Sequence, residues 1–548
     1  MVRKFIAWAV HNPLVALLAA VALATFGAST FLTINVEAYP DPAPAILEVV
    51  AQYPGASAEE VERLVTIPLE VALSGMPGLQ SMRSKSLFGL AFLNCQFAYD
   101  TDYLAARQEV LNRMTMADVP QDVTPQISPR SPIGEIFRYT LSNPKDALGR
   151  PIYTLHDLKT LQNWTLVREF RRIPGVVDVV SFGGDVKRYE VRPDPERLKR
   201  YGITLRQLQE AIGASNANVG GDYLVQGETV QVVRGLGLLG QGQDPVQDVL
   251  GMTQPEAARD HIRAEERRRI REIRQIVLAS TNNVPVRVED VVEGGPLPPW
   301  EEVGERGVVV GRETRLGRVL LSRPASGRHG AEREGGGEPR GWVDEDDAVQ
   351  GLIMLRKGAD TSPTLTAVKA KIKELNSSPG RLLPGVKIVP YYDRNELIHV
   401  TTATVRENLF LGMALVGIVL LMFLSNVRSA LIIALNLPLA LLFAFAMLFL
   451  RGKSANLLSI GAVDFGIIVD STVVIVENTY RHLSSGENPD LPLPDRIIRA
   501  SWEVERGLFF VTVIMVCAML PLFMMTGPEG QIFGPMADTY AFALAGAL

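Results

Sequence analysis

Long apolar runs alternate with charged stretches along this chain, a pattern typical of a protein that is partly embedded in a membrane. No charged residue occurs from Pro13 to Asn35, and at about 1.5 Å per residue this run can cross a roughly 30 Å hydrocarbon layer. Comparable apolar runs occur at about 407–425, 429–450, 456–477 and 507–526, and another begins near 532 and continues to Leu548. The pattern therefore predicts five complete membrane spans and a truncated sixth.

Basic residues beside the spans predict the orientation of the chain, because Lys and Arg are retained on the cytoplasmic side of a membrane. Arg3 and Lys4 place the N-terminus inside, and a cluster of arginines places residues 478–506 inside as well. Residues 36 to about 400 then lie outside. A basic start followed by small residues is also typical of a cleaved secretory signal, but here the apolar run continues past the usual cleavage position.

The outside region shows a repeated order of strands and helices. Residues 46–54 predict a strand, and Ser57 with Glu60 forms a capping box that predicts a helix through Leu73. Strands at about 79–86 and 90–98 follow, then a helix at about 102–116. The same order returns over 155–193 and in part over 363–392, each time with a Pro-Gly turn between helix and strand. Repeats of this kind predict βαβ, ferredoxin-like subdomains.

Between about 219 and 345 this order is lost. Residues 256–274 form a charge-dense helical run, and residues 325–341 are rich in Gly and Arg with almost no apolar residue, which predicts a loop. A role in binding nucleic acid or acidic lipid would be one use for these arginines. The formal net charge of the chain is only −5, so we favour solvated arginines and predict no nucleic-acid partner.

The fourth apolar run contains the most informative residues of the chain, the carboxylates Asp464, Asp470 and Glu477. An ionised carboxylate in a bilayer costs several kcal/mol, so such residues usually face protein or a wet cavity and serve ion or proton transport. Asp470 and Glu477 are seven residues apart, about 700° of helical rotation, so they share one stripe roughly 10 Å apart, with Asp464 about 120° round. We therefore predict a proton relay or cation pathway through the three carboxylates.

Structural roles are the alternatives for the same residues. Glu477 would face water or cap a neighbouring helix, and Asp464 would form a packing or hydrogen-bonding contact. Oxygen ligands of this kind also suit a passing divalent cation, although the residues do not identify a metal. The two cysteines, Cys95 and Cys517, lie far apart without metal-ligand spacing, and we expect both to be small buried apolar residues.

The run from Asp464-Phe465-Gly466 through Asp470 to Glu477-Asn478 resembles the fourth-helix signature of heavy-metal efflux pumps in the resistance-nodulation-division superfamily. It is most similar to the cobalt-zinc-cadmium type and differs from the copper/silver type, in which the first aspartate is replaced. Leu520-Pro521-Leu522-Phe523 followed by Gly527-Pro528-Glu529-Gly530 resembles the end of the fifth helix in that family. Ser471 departs from the glycine or alanine usual after the second aspartate, and the Gly/Arg-rich 325–341 stretch departs from the family's docking subdomain.

The resemblance implies an α+β membrane protein of the bacterial inner membrane, in which a transmembrane helix bundle carries a large periplasmic region. It implies a first transmembrane helix at 1–37 and porter subdomains at 38–134 and at 135–218 with 346–393. It further implies a docking subdomain at 219–345 and the remaining transmembrane helices at 394–548. It also implies a homotrimer, a periplasmic adaptor, an outer-membrane channel and a second, pseudo-symmetric half of the transporter, without which this chain is expected not to transport. No cofactor is implied.

The leading hypothesis is thus a proton/cation antiporter of a tripartite heavy-metal efflux pump. Export of organic molecules is an alternative that the composition leaves open, since 7% of the residues are aromatic and the six histidines form no cluster in the sequence. A non-transporting accessory subunit is a third hypothesis, which the costly carboxylates of the fourth run disfavour. An enzyme is not predicted, because the sequence has no phosphate-binding glycine loop, nucleophile elbow or HExxH motif.

Overall fold

A computed structural model describes most of the chain, with short gaps. The described residues are 2–33, 36–37, 42–128, 134–281, 283–298, 306–313, 317–324, 342–357, 359–424, 426–452, 455–456, 465–485 and 490–547. Asp464 and the Gly/Arg-rich segment 325–341, two features of the sequence analysis, lie outside these residues. The chain divides into two compact units, the first comprising Met1–Glu135, Arg356–Ser362 and Asp393–Leu548, the second Ile136–Leu355 and Pro363–Tyr392.

One part of the first unit is a four-stranded antiparallel sheet covered by helices. In spatial order the strands are Leu79–Leu87, Leu90–Phe97, Ile46–Gln52 and Gln126–Ser128. The covering helices are 58–73, which includes a π-helical turn at Glu62–Thr66, and Tyr103–Met114. Period-2 alternation in the strands buries Leu47, Val49 and Ala51 on the face that packs against these helices. The order along the chain is therefore βαββαβ.

Local capping explains where the first of these helices begins. The Ser57 hydroxyl accepts a hydrogen bond from the Glu60 amide at 3.3 Å, and the Glu60 carboxylate accepts one from the Ser57 amide at 2.8 Å. The predicted capping box is thus confirmed, as is the end of the helix at Leu73. The backbone and side-chain hydrogen bonds from Ser57 lower the pKa of Glu60, which favours the ionised form at this helix start.

The remainder of the first unit consists of long helices. Their bounds are Val2–His11, Pro13–Thr33, Arg394–Leu424, Val427–Leu450, Phe465–Ser484, Leu493–Ala518, Leu520–Phe523 and Pro528–Ala547, and a two-residue strand at Val36–Glu37 pairs with Ala455–Asn456. Within the described residues, four segments are long and apolar enough to cross a membrane: Pro13–Phe31, Arg394–Leu424, Val427–Leu450 and Leu493–Phe523. The helices Phe465–Ser484 and Pro528–Ala547 do not reach that standard, so the number of membrane spans stays a prediction.

The helix Val427–Leu450 lies at the centre of this bundle. It packs against four others, Pro13–Thr33, Arg394–Leu424, Phe465–Ser484 and Pro528–Ala547. At Gly27 the first of these approaches so closely that an added Cβ atom would lie 2.7 Å from the carbonyl oxygen of Leu442. Small residues permit such close backbone contact, which is how helices gain packing energy in an apolar medium.

The second unit has its own four-stranded sheet. The strands in spatial order are Lys387–Asp393, Glu135–Ser142, Gln350–Leu355 and Val176–Phe182. Two helices, 155–171 with a π-helical turn at Leu161–Leu166 and Thr361–Ser377, contribute apolar residues to the same core as the sheet. At the centre of this core the hydroxyl of the buried Tyr139 donates a 3.0 Å hydrogen bond to Gln162.

The rest of the second unit is built from short strand pairs and helices. The pairs are Lys187–Val191 with Val308–Arg312, Val219–Gln226 with Thr229–Gly235, Val277–Thr281 with Val284–Arg287, and Leu321–Pro324 with Trp342–Glu345. The helices are Pro195–Tyr201, Leu205–Ser215, Leu239–Gly242, Pro245–Asp248, Pro255–Arg274 and Val288–Val291. The predicted charged helix at 256–274 is confirmed. Its arginines are not all solvated as expected, because Arg274 is buried and donates hydrogen bonds to the carbonyl oxygens of Gly295 and Arg306.

A buried ion cluster ties the charged helix to the rest of the second unit. The Lys187 ammonium lies 3.4 Å from Asp157 Oδ1 and also donates to Glu266. Asp157 in addition accepts a 2.7 Å hydrogen bond from the Thr154 hydroxyl in a capping box. Burial on its own lowers the pKa of Lys187, but the negative charges of Asp157 and Glu266 outweigh it, and the pKa is raised.

Candidate functional site

The acidic helix, Phe465–Ser484, carries the predicted carboxylates. Its sequence is rich in β-branched residues, which are poor helix formers in water. In an apolar medium every backbone amide and carbonyl needs a partner within the segment, and the helix supplies one. Phe465, Ile468 and Val469 are buried in the core of the helical bundle, and the helix packs against 427–450 and 493–518.

Asp470 and Glu477 lie on one exposed stripe of the acidic helix. Their separation of seven residues is about two turns, or roughly 10 Å along the axis. No hydrogen bond or ion pair reaches either side chain from the part of the chain that the structure describes. Asp464, the third predicted carboxylate, lies outside the described residues. The structure thus brings two of the three predicted residues onto one surface.

Opposite this stripe, a polar contact joins the acidic helix to the central helix 427–450. Asn436 Nδ2 donates a hydrogen bond to Thr472 Oγ1 at 2.5 Å and a second, longer one to the carbonyl oxygen of Ala547 at 3.4 Å. Thr472 follows Asp470 by two residues, about 200° round the helix. The sequence reasoning missed this contact, although an asparagine inside an otherwise apolar span was the available signal.

A second polar contact lies at the C-terminal end of the acidic helix. The buried Asn478 side chain donates hydrogen bonds to the carbonyl oxygen of Ala500 at 2.8 Å and to Glu503 Oε2 at 3.3 Å. The side-chain oxygen Oδ1 of Asn478 accepts a 2.8 Å hydrogen bond from the Arg481 guanidinium. His482 Nε2 lies 2.5 Å from Glu503 Oε2, the oxygen that Asn478 also contacts. This end of the acidic helix is therefore tied to the helix 493–518.

The chemistry available on the exposed stripe is proton uptake and release. A carboxylate can hold a proton in a low-dielectric environment and lose it when that environment changes, which provides a conformational switch. Among the described residues, no group of three or more His, Cys, Asp or Glu side chains comes together as a metal site.

The cysteines contribute no chemistry to this site. Cys95 is buried in the first sheet, as predicted, and burial raises the pKa of its thiol to about 11. For Cys517 the prediction of burial is wrong, because its side chain is exposed on the helix 493–518. The helix 493–518 is packed against other helices on only part of its surface, so hydrophobic character did not imply packing within the protein.

Comparison with known proteins identifies the family to which this chain belongs. Residues 5–294 and 307–548 match the AcrB/AcrD/AcrF family, and the chain belongs to this family of the resistance-nodulation-division superfamily. Among curated relatives, it is 33% identical over 560 residues to the cation efflux system protein CzcA of Alcaligenes sp. (strain CT14), covering 100% of this chain and 46% of that protein. It is 32% identical over 559 residues to the cation efflux system protein CusA of Escherichia coli (strain K12), covering 100% of this chain and 47% of that protein.

A solved structure is similar over the same extent. The crystal structure of a heavy metal efflux pump, crystal form II, has a TM-score of 0.77 at 33% identity, covering 99% of this chain and 47% of that one. The chain therefore spans about half the length of the relatives that it matches. The predicted resemblance to heavy-metal efflux transporters is confirmed at the level of the family and its efflux homologues.

Proposed function

We propose that this chain is part of an inner-membrane proton/cation antiporter that works within a tripartite heavy-metal efflux pump. The observation that carries the proposal is the exposed stripe of Asp470 and Glu477 on a helix that otherwise packs among apolar spans. Isolated carboxylates next to lipid are costly, so these residues need a wet cavity or a further protein surface opposite them. The efflux relatives, each about twice as long as this chain, support such a surface in the whole transporter.

In the proposed cycle, protons enter from the outside and bind the carboxylates Asp464, Asp470 and Glu477. Protonation removes a negative charge from the stripe and so changes which packing of the acidic helix is most stable. Release of the proton to the inside then returns the helix to its first arrangement. Two related halves that rock against each other around such a site are a general design of transporters.

Cation export is tested by measuring the metal sensitivity of cells that express the gene containing this chain, one ion at a time. We expect a higher tolerated concentration for one or more of cobalt, zinc and cadmium, with no change for organic dyes and detergents. Cells carrying the Asp470→Asn variant at equal protein level are the control and should behave like cells without the gene. Protection against organic compounds alone would contradict the proposal and favour an organic exporter.

We further propose that residues 36 to about 400 lie in the periplasm, because Arg3 and Lys4 precede the first span. In a background without native cysteines, single cysteines at Asp146 and Glu228 should react with an impermeant maleimide added from outside. A cysteine at Asp490, in the segment assigned to the cytoplasm, is the matched control and should react only in inverted vesicles. Labelling of the Asp146 or Glu228 positions only from the cytoplasmic side would contradict this topology.

The proposed assembly is a homotrimer that contacts a periplasmic adaptor and an outer-membrane channel. We assign residues 38–134 and 135–218 with 346–393 to porter subdomains, and 219–345 to the docking subdomain.

The strand pair Val219–Gln226 and Thr229–Gly235 supports self-association, because each of its residues is exposed, including Val225, Val230 and Val232. Exposed apolar strands of this kind are usually covered by a partner. Native mass spectrometry of the purified transporter would give the number of subunits.

A further inference from the structure

The acidic helix is attached to its neighbours by two side-chain amides that differ in height and direction. Asn436 of the helix 427–450 donates a hydrogen bond to Thr472, near the middle of the acidic helix. Asn478, in the C-terminal part of the acidic helix, donates one to the helix 493–518. Thr472 and Asn478 are six residues apart, about 9 Å along the axis, and their directions differ by about 120°. Two hydrogen-bonded attachments at different heights and in different directions restrict both the rotation and the tilt of the helix.

These attachments also determine where the carboxylates face. Relative to Asp470, Glu477 lies about 20° away, Asn478 about 80° away, and Thr472 about 200° away. The Thr472 contact therefore points the carboxylate stripe away from the helix 427–450. The Asn478 contact determines which side of the stripe borders the helix 493–518.

Apolar packing alone would hold this rotation less well. Ile468 and Val469 pack against the bundle through contacts that have little directional preference. A hydrogen bond weakens steeply when its angle departs from linear, so the amides add a directional restraint that the packing lacks. Interhelical hydrogen bonds in membranes are individually weak, so they favour one rotation of the helix without locking it permanently.

We propose that Asn436 and Asn478 are positioning residues that set the rotation of the acidic helix and thereby the direction in which Asp470 and Glu477 face. This inference rests on the proposed proton-coupled function. It adds to that function a requirement that the carboxylates keep one orientation while a proton binds.

Carboxyl labelling with dicyclohexylcarbodiimide tests the inference, because this apolar reagent modifies protonated carboxyl groups that it can reach from the membrane. The purified full-length transporter is labelled in liposomes between pH 5 and pH 9, a range of about four decades in proton activity, and Asp470 and Glu477 are quantified by mass spectrometry. Thr472→Val removes the hydrogen-bonding hydroxyl with almost no change in shape. Loosened rotation turns Asp470 toward lipid, so its labelling rate near neutral pH should rise about fivefold, the effect of one interhelical hydrogen bond.

Matched variants separate positioning from a general loss of structure. Thr472→Ser keeps the hydroxyl and should restore wild-type labelling. Thr512→Val removes a buried hydroxyl whose one hydrogen bond within the described residues is to the Leu508 carbonyl of its own helix, and it should leave Asp470 labelling unchanged. At the other attachment, Glu503→Gln keeps an acceptor for Asn478 and should resemble wild type, whereas Glu503→Leu should raise the labelling of Glu477.

Two results would overturn the inference: wild-type labelling in Thr472→Val, or an equal change in Thr472→Val and Thr512→Val. The outcome is independent of the transport assay. If the labelling pattern is as expected but cation export needs no proton gradient, the positioning role stands and the proposed antiport fails. If export is proton-coupled but labelling does not respond to Thr472→Val, only the positioning role fails.

Discussion

Asp470→Asn is expected to abolish proton-coupled cation export, with a loss of at least about two orders of magnitude in rate, the usual contribution of a positioned proton-transfer group. The amide keeps the shape of the side chain and much of its hydrogen-bonding capacity, but it cannot take up and release a proton. Because Asp470 is exposed and forms no hydrogen bond or ion pair within the described residues, the substitution should leave folding and membrane insertion intact. Metal uptake into inverted vesicles with an imposed proton gradient measures the loss.

Three other variants serve as comparisons for Asp470→Asn in the same transport assay. Asp464→Asn and Glu477→Gln should also impair export, to a smaller or more substrate-dependent degree. Asp490→Asn removes an exposed carboxylate outside the acidic helix and should export at the wild-type rate. Proton-coupled export by the Asp470→Asn protein at a rate near wild type would remove Asp470 from the relay.

Lys187→Met is expected to destabilise the second unit locally by about 3 kcal/mol, the usual cost of breaking a buried ion pair from one side. Methionine replaces the length and apolar stem of the lysine but leaves Asp157 and Glu266 without their cation in a mostly buried place. Hydrogen exchange in the purified protein should therefore become faster in the strand Lys187–Val191 and in the helix Pro255–Arg274. Unchanged exchange in both elements would show that the cluster contributes little.

The same cluster predicts how the local stability of the second unit depends on pH. The raised pKa of Lys187 means that its stabilising contribution is fully present below the unfolded-state pKa of about 10.4 and is lost as the pH rises through the folded-state value. Local stability in the wild type should fall over that alkaline range, and Lys187→Met should lack this fall. As a control, Arg206→Met breaks the exposed pair with Glu210 and should change stability by less than about 1 kcal/mol.

Local patterns in the sequence determined much of the architecture. The reciprocal pairing of Ser57 and Glu60 predicted where a helix begins, because a capping box depends only on residues three positions apart. The apolar runs located most of the helices of the bundle, and the predicted run at 429–450 agrees with the observed helix Val427–Leu450 within two residues. The seven-residue spacing of Asp470 and Glu477 predicted one stripe, since helical geometry alone places such residues together.

Other features depended on which segments meet in space. The sheet order in the first unit, with Ile46–Gln52 between Leu90–Phe97 and Gln126–Ser128, comes from long-range pairing that period-2 alternation does not encode. The exposure of Cys517 depended on which face of its helix finds a partner, and the burial of Arg274 on carbonyl groups supplied by other loops.

For the candidate site, the amino-acid sequence is enough to place three carboxylates in one apolar segment and two of them on one helical stripe. The direction in which that stripe faces depends on contacts between helices. Asn436 and Thr472 are 36 residues apart along the chain, and Asn478 and Ala500 are 22 apart, so no local pattern relates them. Periodicity defines directions around one helix, whereas the rotation of that helix is set by hydrogen bonds and packing to other helices.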